Sequence, residues 1–200
     1  MKLLLSLCIA LLISVAGSGW STAAQKSETA IFAGGCFWCM ESPFDAIDGV
    51  ISTTVGYTGG FTQNPTYEQV SSGTTGHMEA VQVLYDPSKV SYQQLLDTFW
   101  RNIDPLNNGG QFCDNGPQYR AAIFYGNEIQ KRQAEISRAW LEQERGWQIV
   151  TDIRPAVVFY PAEEYHQGYY KKNPLRYKFY RANCGRDERL KELWKGSLSH

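Results

Sequence analysis

Residues 29–57 read TAIFAGGCFWCMESPFDAIDGVISTTVGY, and this stretch decides the fold. TAIFA (29–33) predicts a short buried strand, which Gly34 and Gly35 end. Residues 36–46 predict a helix, because Phe37, Met40, Phe44 and Ile47 recur at helical spacing. Pro43 lies inside that span, where it either kinks the helix or moves its start. Residues 49–57 are β-branched and predict a second strand.

The pattern continues outward. Residues 58–76 are rich in Gly, Thr, Asn and Pro and predict a long loop. Residues 77–85 alternate as a strand, and Asp86-Pro87 turns the chain. Ser91 caps a helix over 91–101. A glycine-rich loop over 104–118 leads to a strand at 119–125 and a long polar helix at 127–144. Strands at 149–153 and 156–160 follow. The remainder, 161–200, predicts a long irregular segment with one helix at 187–194. This order of elements predicts an α+β fold. It is a two-layer sandwich with a mostly antiparallel sheet and helices packed on it.

The N-terminus belongs to export. Lys2 precedes an apolar run at 3–15, and small residues follow at 22–24. This is the layout of a secretory signal over 1–24, with an uncleaved anchor as the alternative. Removing it leaves 200 − 24 = 176 residues, one catalytic domain over 25–200. The expected location is periplasmic or secreted, with no stable membrane association after cleavage. A formal net charge of −1, without a basic stripe, excludes nucleic acid as the expected partner.

Four cysteines lie beyond the signal: Cys36, Cys39, Cys113 and Cys184. An oxidising compartment favours disulfides, but a domain of this length needs no staple. Cys36 and Cys39 also close too small a loop to stabilise much, so their spacing favours redox chemistry. Cys36 opens a helix after two glycines, where free N–H groups and the helix dipole favour thiolate, the reactive form. Cys39 lies one turn further on. Glu79 enters an apolar strand. It is either a proton donor kept protonated by burial or an edge carboxylate facing solvent. Tyr67, Asp114 and Tyr119 come from the two long loops, where sites concentrate. His77 reads as a satisfied loop histidine. Residues 161–167, PAEEYHQ, offer metal ligands, but no paired cysteine knuckles accompany them.

GGCFWCMESPF, GYTGG, NPTYEQV, TTGHMEAVQV, IDPLNNGGQFCDNGPQYRAAIF and RPAVVFYPAEEYHQGYYKKNP together resemble the peptide methionine sulfoxide reductases of the A type. The resemblance spans about residues 29–180. It implies a ferredoxin-like βαββαβ core and reduction of the S epimer of methionine sulfoxide, free or in oxidised proteins. It also implies protein repair under oxidative stress, regeneration by thioredoxin or a thioredoxin-like donor, and no bound cofactor; the cysteine spacing predicts no metal site. Carried over, it makes Cys36 the nucleophile. Phe37 and Trp38 receive the substrate methyl group, and Glu79 is the proton donor. Tyr67 and Tyr119 hold the sulfoxide oxygen, and Asp114 binds near the substrate backbone.

Many members have Gly at the position of Cys39 and resolve with cysteines of a glycine-rich tail. Here Cys39 is the expected resolving thiol. Cys184, followed by a charged stretch, is a recycling thiol at most, and Cys113 has no expected role. One chain acts alone. Two other classes fit parts of the pattern: a thioredoxin-like disulfide oxidoreductase, and an aromatic binding module with unreactive cysteines.

Overall fold

The computed structural model describes residues 26–195. The expected signal over 1–24, with Cys8, lies outside the described residues. The strands are β1 (Glu28–Gly34), β2 (Val50–Thr58), β3 (Met78–Tyr85), β4 (Gly110–Gln111), β5 (Asp114–Asn115), β6 (Ala121–Tyr125), β7 (Asp152–Pro155) and β8 (Tyr160–Pro161). The helices are α1 (Phe37–Asp45), α2 (Tyr67–Ser71), α3 (Tyr92–Arg101), α4 (Glu128–Arg145), α5 (Tyr169–Lys172), α6 (Pro174–Asn183) and α7 (Arg186–Leu193).

The main sheet has the order β7-β6-β1-β3-β2-β8. Its central run, β6-β1-β3-β2, is antiparallel throughout. With α1 and α3 as the two crossovers, this is the ferredoxin-like βαββαβ arrangement. β7 adds in parallel to β6 at one edge, and β8 adds antiparallel to β2 at the other.

Alternation along β1 explains the layers, since successive side chains point to opposite faces. Ala30 and Phe32 point to the helices, where Phe32 stacks on Phe44 of α1 (5.1 Å) and Phe99 of α3 (5.2 Å). Each such buried aromatic contributes about 1.5–3 kcal/mol. Ile31 and Ala33 point to the opposite face, where Met78, Ala80 and Phe124 join them and Ala156 and Phe159 cover them. Both faces of β1 are therefore buried, which is why TAIFA is apolar without a polar alternate. Two capping boxes start α2 and α3: Thr66 with Gln69, and Ser91 with Gln94. Pro43 is accommodated within α1.

Three expectations are corrected. The loop over 58–76 contains α2, because Thr66 and Gln69 cap it reciprocally. The strand expected at 119 begins at Ala121, and Tyr119 ends a single 3₁₀ turn from Pro117. The C-terminal segment is helical rather than irregular, carrying α5, α6 and α7.

A buried arginine fastens this segment. The Arg186 guanidinium donates to the Gly34 and Asn102 carbonyls (2.8 Å each) and lies 4.3 Å over the Phe112 ring. A basic, polar stretch conceals this anchor from periodicity, because its partners are backbone oxygens distant in sequence. Among the described residues, no helix is long and apolar enough to cross a membrane.

Candidate active site

The site forms where β1 turns into α1. Gly35 has φ +80°, and a Cβ there would stand 2.5 Å from the Gln111 side chain. Only glycine permits that turn against the Gln111 loop. Cys36 follows as the N-cap residue of α1. The turn aims its thiol into a small cavity of about 90 Å³, lined by Cys36, Phe37, Trp38, Tyr67, Glu79, Asp114, Tyr119 and Tyr180. The first seven are the residues singled out from the sequence for nucleophile, acid and pocket, and the fold brings them together. A larger groove of about 350 Å³ between α3, α4 and Trp194 has neither a thiol nor a Glu.

Glu79 lies on β3, only 2 % exposed. Its side chain points into the cavity and not to solvent. Its Oε2 accepts the Phe37 N–H at 3.0 Å, so the carboxyl sits against the first turn of the helix that Cys36 caps. Burial pushes its pKa up to about 8; the Phe37 hydrogen bond opposes this, and Asp114 and Cys39 add to it. At neutral pH the carboxyl is mostly protonated. Burial likewise raises the Tyr67 phenol to about 12, with Glu79 and Cys36 adding to it. The Tyr119 phenol is pushed up by the same causes. Both phenols remain donors.

The cysteine pair departs from expectation. Burial raises the Cys36 thiol well above its ordinary value, and the Cys39 hydrogen bond and the Glu79 charge reinforce this. Desolvation outweighs the helix dipole that the sequence suggests. Cys39 moves the other way, to about 6, because it accepts a hydrogen bond from Cys36 and faces Arg186 and Arg181. Arg186 and Arg181 favour negative charge on Cys39, whereas burial disfavours it on Cys36.

Four residues outside the sequence-based set complete the pocket. His166 is buried, and its Nδ1 accepts the Trp38 indole N–H at 3.0 Å. Tyr169 stacks flat on Trp38, with centroids 3.7 Å apart. Glu163 accepts the Tyr67 N–H (2.9 Å) and the Tyr57 hydroxyl (2.8 Å), which places α2 beside the cavity. Tyr180 donates to Asp114 Oδ2 at 2.6 Å. The stretch PAEEYHQ, read from the sequence only as a set of metal donors, thus orients the aromatic wall. The density of polar residues was the available signal. Their targets lie about 100 residues away or more and are invisible to spacing. His77 is a satisfied loop histidine: Nδ1 accepts Gly60 N–H (3.1 Å) and Nε2 meets the Thr62 carbonyl (2.7 Å).

Cys36 and Cys39 are free thiols, whereas Cys113 and Cys184 form a disulfide across 71 positions. Cys113, without an expected role, therefore has a partner, and Cys184 is joined to it rather than placed as a free tail thiol. The bridge is a staple that a domain of this length was not expected to need.

Comparison with known proteins agrees with this geometry. The family model for peptide methionine sulfoxide reductase matches residues 28–198. The chain is 53% identical over 173 residues to a peptide methionine sulfoxide reductase MsrA of Bacillus licheniformis, covering 86% of this chain and 96% of that one. It is 49% identical over 197 residues to an MsrA of Caulobacter vibrioides, covering 98% and 100%. Among solved structures, reduced Mxr1 of Saccharomyces cerevisiae superposes with a TM-score of 0.71 at 32% identity, over 74% of this chain and 87% of that one. Mxr1 has also been solved in complex with Trx2. A buried thiol and a buried carboxyl in one pocket on a ferredoxin-like core accompany a match along nearly the whole described length, and the chain belongs to the peptide methionine sulfoxide reductase family, in its A-type branch.

Proposed function

We propose that the chain reduces the S epimer of methionine sulfoxide, free or in oxidised proteins, with Cys36 as nucleophile and Cys39 as resolving thiol. The observation that carries this reading is the Glu79 carboxyl buried in one small cavity with the Cys36 thiol and two phenols. A sulfoxide oxygen leaves poorly until protonated, and a carboxyl near pKa 8 supplies that proton at neutral pH.

In the first step Cys36 Sγ bonds to the sulfoxide sulfur and passes its proton to the Cys39 thiolate. Glu79 protonates the oxygen, and Tyr67 and Tyr119 hydrogen-bond to it. The hydroxyl then passes from that sulfur to Cys36 with its own electron pair, giving a sulfenic acid, and methionine leaves with both electrons of its bond to Cys36. Cys39 then attacks the sulfenic sulfur. Its own proton departs with the hydroxyl as water, leaving a Cys36–Cys39 disulfide and a Glu79 carboxylate, which solvent reprotonates. Phe37 and Trp38 hold the substrate methyl, and Asp114 lies where a substrate backbone N–H is accepted. No step calls on a cofactor.

Thiol–disulfide exchange with a thioredoxin-like donor restores the dithiol, a reading supported by the Mxr1–Trx2 complex. Cys184 takes part in recycling only if its bridge to Cys113 opens first. We place the enzyme outside the cytoplasm, in the periplasm or secreted, from the layout of residues 1–24. One chain is the working unit, because every group named comes from it. The test is turnover of separated sulfoxide epimers with dithiothreitol. The S epimer should be consumed and the R epimer left. Equal consumption of both epimers would remove the support for this reading.

A further inference from the structure

The Cys113–Cys184 bridge stands beside the pocket, and no step of the reaction uses it. Cys113 immediately precedes Asp114 in the tight β4–β5 hairpin. Cys184 caps α6 one turn after Tyr180, and its N–H donates to the Tyr180 carbonyl at 3.0 Å. The covalent link therefore joins the chain neighbours of a hydrogen-bonded pair, Tyr180 Oη to Asp114 Oδ2 at 2.6 Å. The Cys113 N–H also points at Cys184 Sγ (3.2 Å), closing the same seam through the backbone.

Both members of the pair face the reacting sulfur. Asp114 and Tyr180 both line the small cavity into which the Cys36 thiol points. The Tyr180 ring stands edge-on to Trp38, with centroids 6.0 Å apart. Tyr180 comes from a C-terminal helix, whereas Asp114 comes from a hairpin with two-residue strands. Two-residue strands give little rigidity of their own. Something must hold hairpin and helix in register, and the bridge does so at the position next to Asp114.

We propose that the Cys113–Cys184 bridge and Tyr180 form one clasp, a pair of positioning groups that orient Asp114 for sulfoxide binding. This rests on the reading of the Cys36 cavity given above. The clasp acts on binding: it supplies neither the proton nor the nucleophile. Removing the Tyr180 hydroxyl should weaken substrate capture roughly ten-fold, the worth of one hydrogen bond to a charged group. The maximal rate should stay within about two-fold.

The test is single turnover without reductant, so that the bridge stays closed in the wild type. The rate of methionine release is followed against concentration of the S sulfoxide for wild type, Tyr180→Phe, Cys113→Ser/Cys184→Ser and the triple variant. The proposal expects half-saturation to rise roughly ten-fold in Tyr180→Phe and in the double variant, with the maximal rate nearly unchanged. The triple variant should be no worse than either, because one clasp is broken twice.

Unchanged half-saturation in Tyr180→Phe overturns the clasp. That variant keeps the ring and so decides the matter even if the double variant fails to fold. Loss of turnover with a thioredoxin donor in the double variant, with normal half-saturation, would make the bridge a recycling relay and also overturn it. A wild type that releases no methionine defeats the cavity reading itself, and the clasp with it.

Discussion

Glu79 Oε2 accepts the backbone N–H of Phe37 at 3.0 Å, tying the candidate proton donor to the first residue of the helix that Cys36 caps. Donor and nucleophile thus move as one body, although 42 residues separate the hydrogen-bonded pair. Positioning of that kind lowers the barrier before any charge moves.

Glu79→Gln keeps the shape and still accepts from Phe37, but it has no acidic proton. The maximal rate should fall by roughly 10²–10⁴, the usual worth of general acid catalysis. In the wild type, kcat/KM should decline as pH rises through about 8, where Glu79 loses its proton. The Gln variant should lack that limb. A pH–rate profile of both proteins checks the claim, and an unchanged rate in the variant would make Glu79 structural.

The same carboxyl links pH to stability. Its folded pKa of about 8 lies above the unfolded value near 4.5, so between those values the folded state holds a proton that the unfolded state has released. Its contribution is fully favourable below the unfolded pKa and is lost as pH rises toward 8. Glu79→Gln should therefore gain stability relative to wild type by a few kcal/mol (roughly, from linkage) between pH 5 and pH 9. Urea unfolding at the two pH values reads this. A constant difference between the proteins would contradict the burial argument.

Arg186 is a second stability test. Arg186→Leu leaves the buried Gly34 and Asn102 carbonyls without their donor and takes the cation off Phe112. The expected cost is about 3–5 kcal/mol, typical of a broken buried polar network. It should appear as a lower urea midpoint with an unchanged slope. A loss below about 0.5 kcal/mol, the scale of surface substitutions, would show that the C-terminal helices are held elsewhere.

Trp38→Phe removes the indole N–H that His166 accepts and shortens the face stacked on Tyr169. The pocket wall is then free to tilt. KM for the sulfoxide should rise by about 10-fold, worth roughly 1.4 kcal/mol, with a smaller change in kcat. Steady-state kinetics against free methionine sulfoxide measures it. An unchanged KM would remove Trp38 from the substrate contacts.

Much of this is legible in the sequence. TAIFA followed by Gly-Gly and an apolar helix fixes the β1–α1 turn, because strand and helix have different periods and only a glycine-type turn joins them here. Cys36, Phe37, Trp38 and Glu79 stand out by local context or by family blocks. What escaped rests on long-range partners. His166 and Glu163 gain meaning only when Trp38 and Tyr67 arrive beside them. Arg186 looks like a solvated charge until two carbonyls surround it. Cys36 suggests a thiolate from its place on the helix, yet the burial that raises its pKa belongs to the assembled pocket. The Cys113–Cys184 pairing was one of several open to four cysteines, and tertiary placement alone selects it.

The most direct test is a single turnover without reductant, followed by peptide mapping of the disulfides. One equivalent of the S sulfoxide should yield about one methionine per chain, the stoichiometry of a single sulfenic acid. It should also create a new Cys36–Cys39 bridge, while Cys113–Cys184 stays intact. Cys36→Ser should yield no methionine; Cys39→Ser, lacking the thiolate that takes the Cys36 proton, should yield one methionine more slowly and then stall with a thioredoxin-type donor. A new bridge from Cys36 to Cys184, with none to Cys39 at early times, would contradict the account.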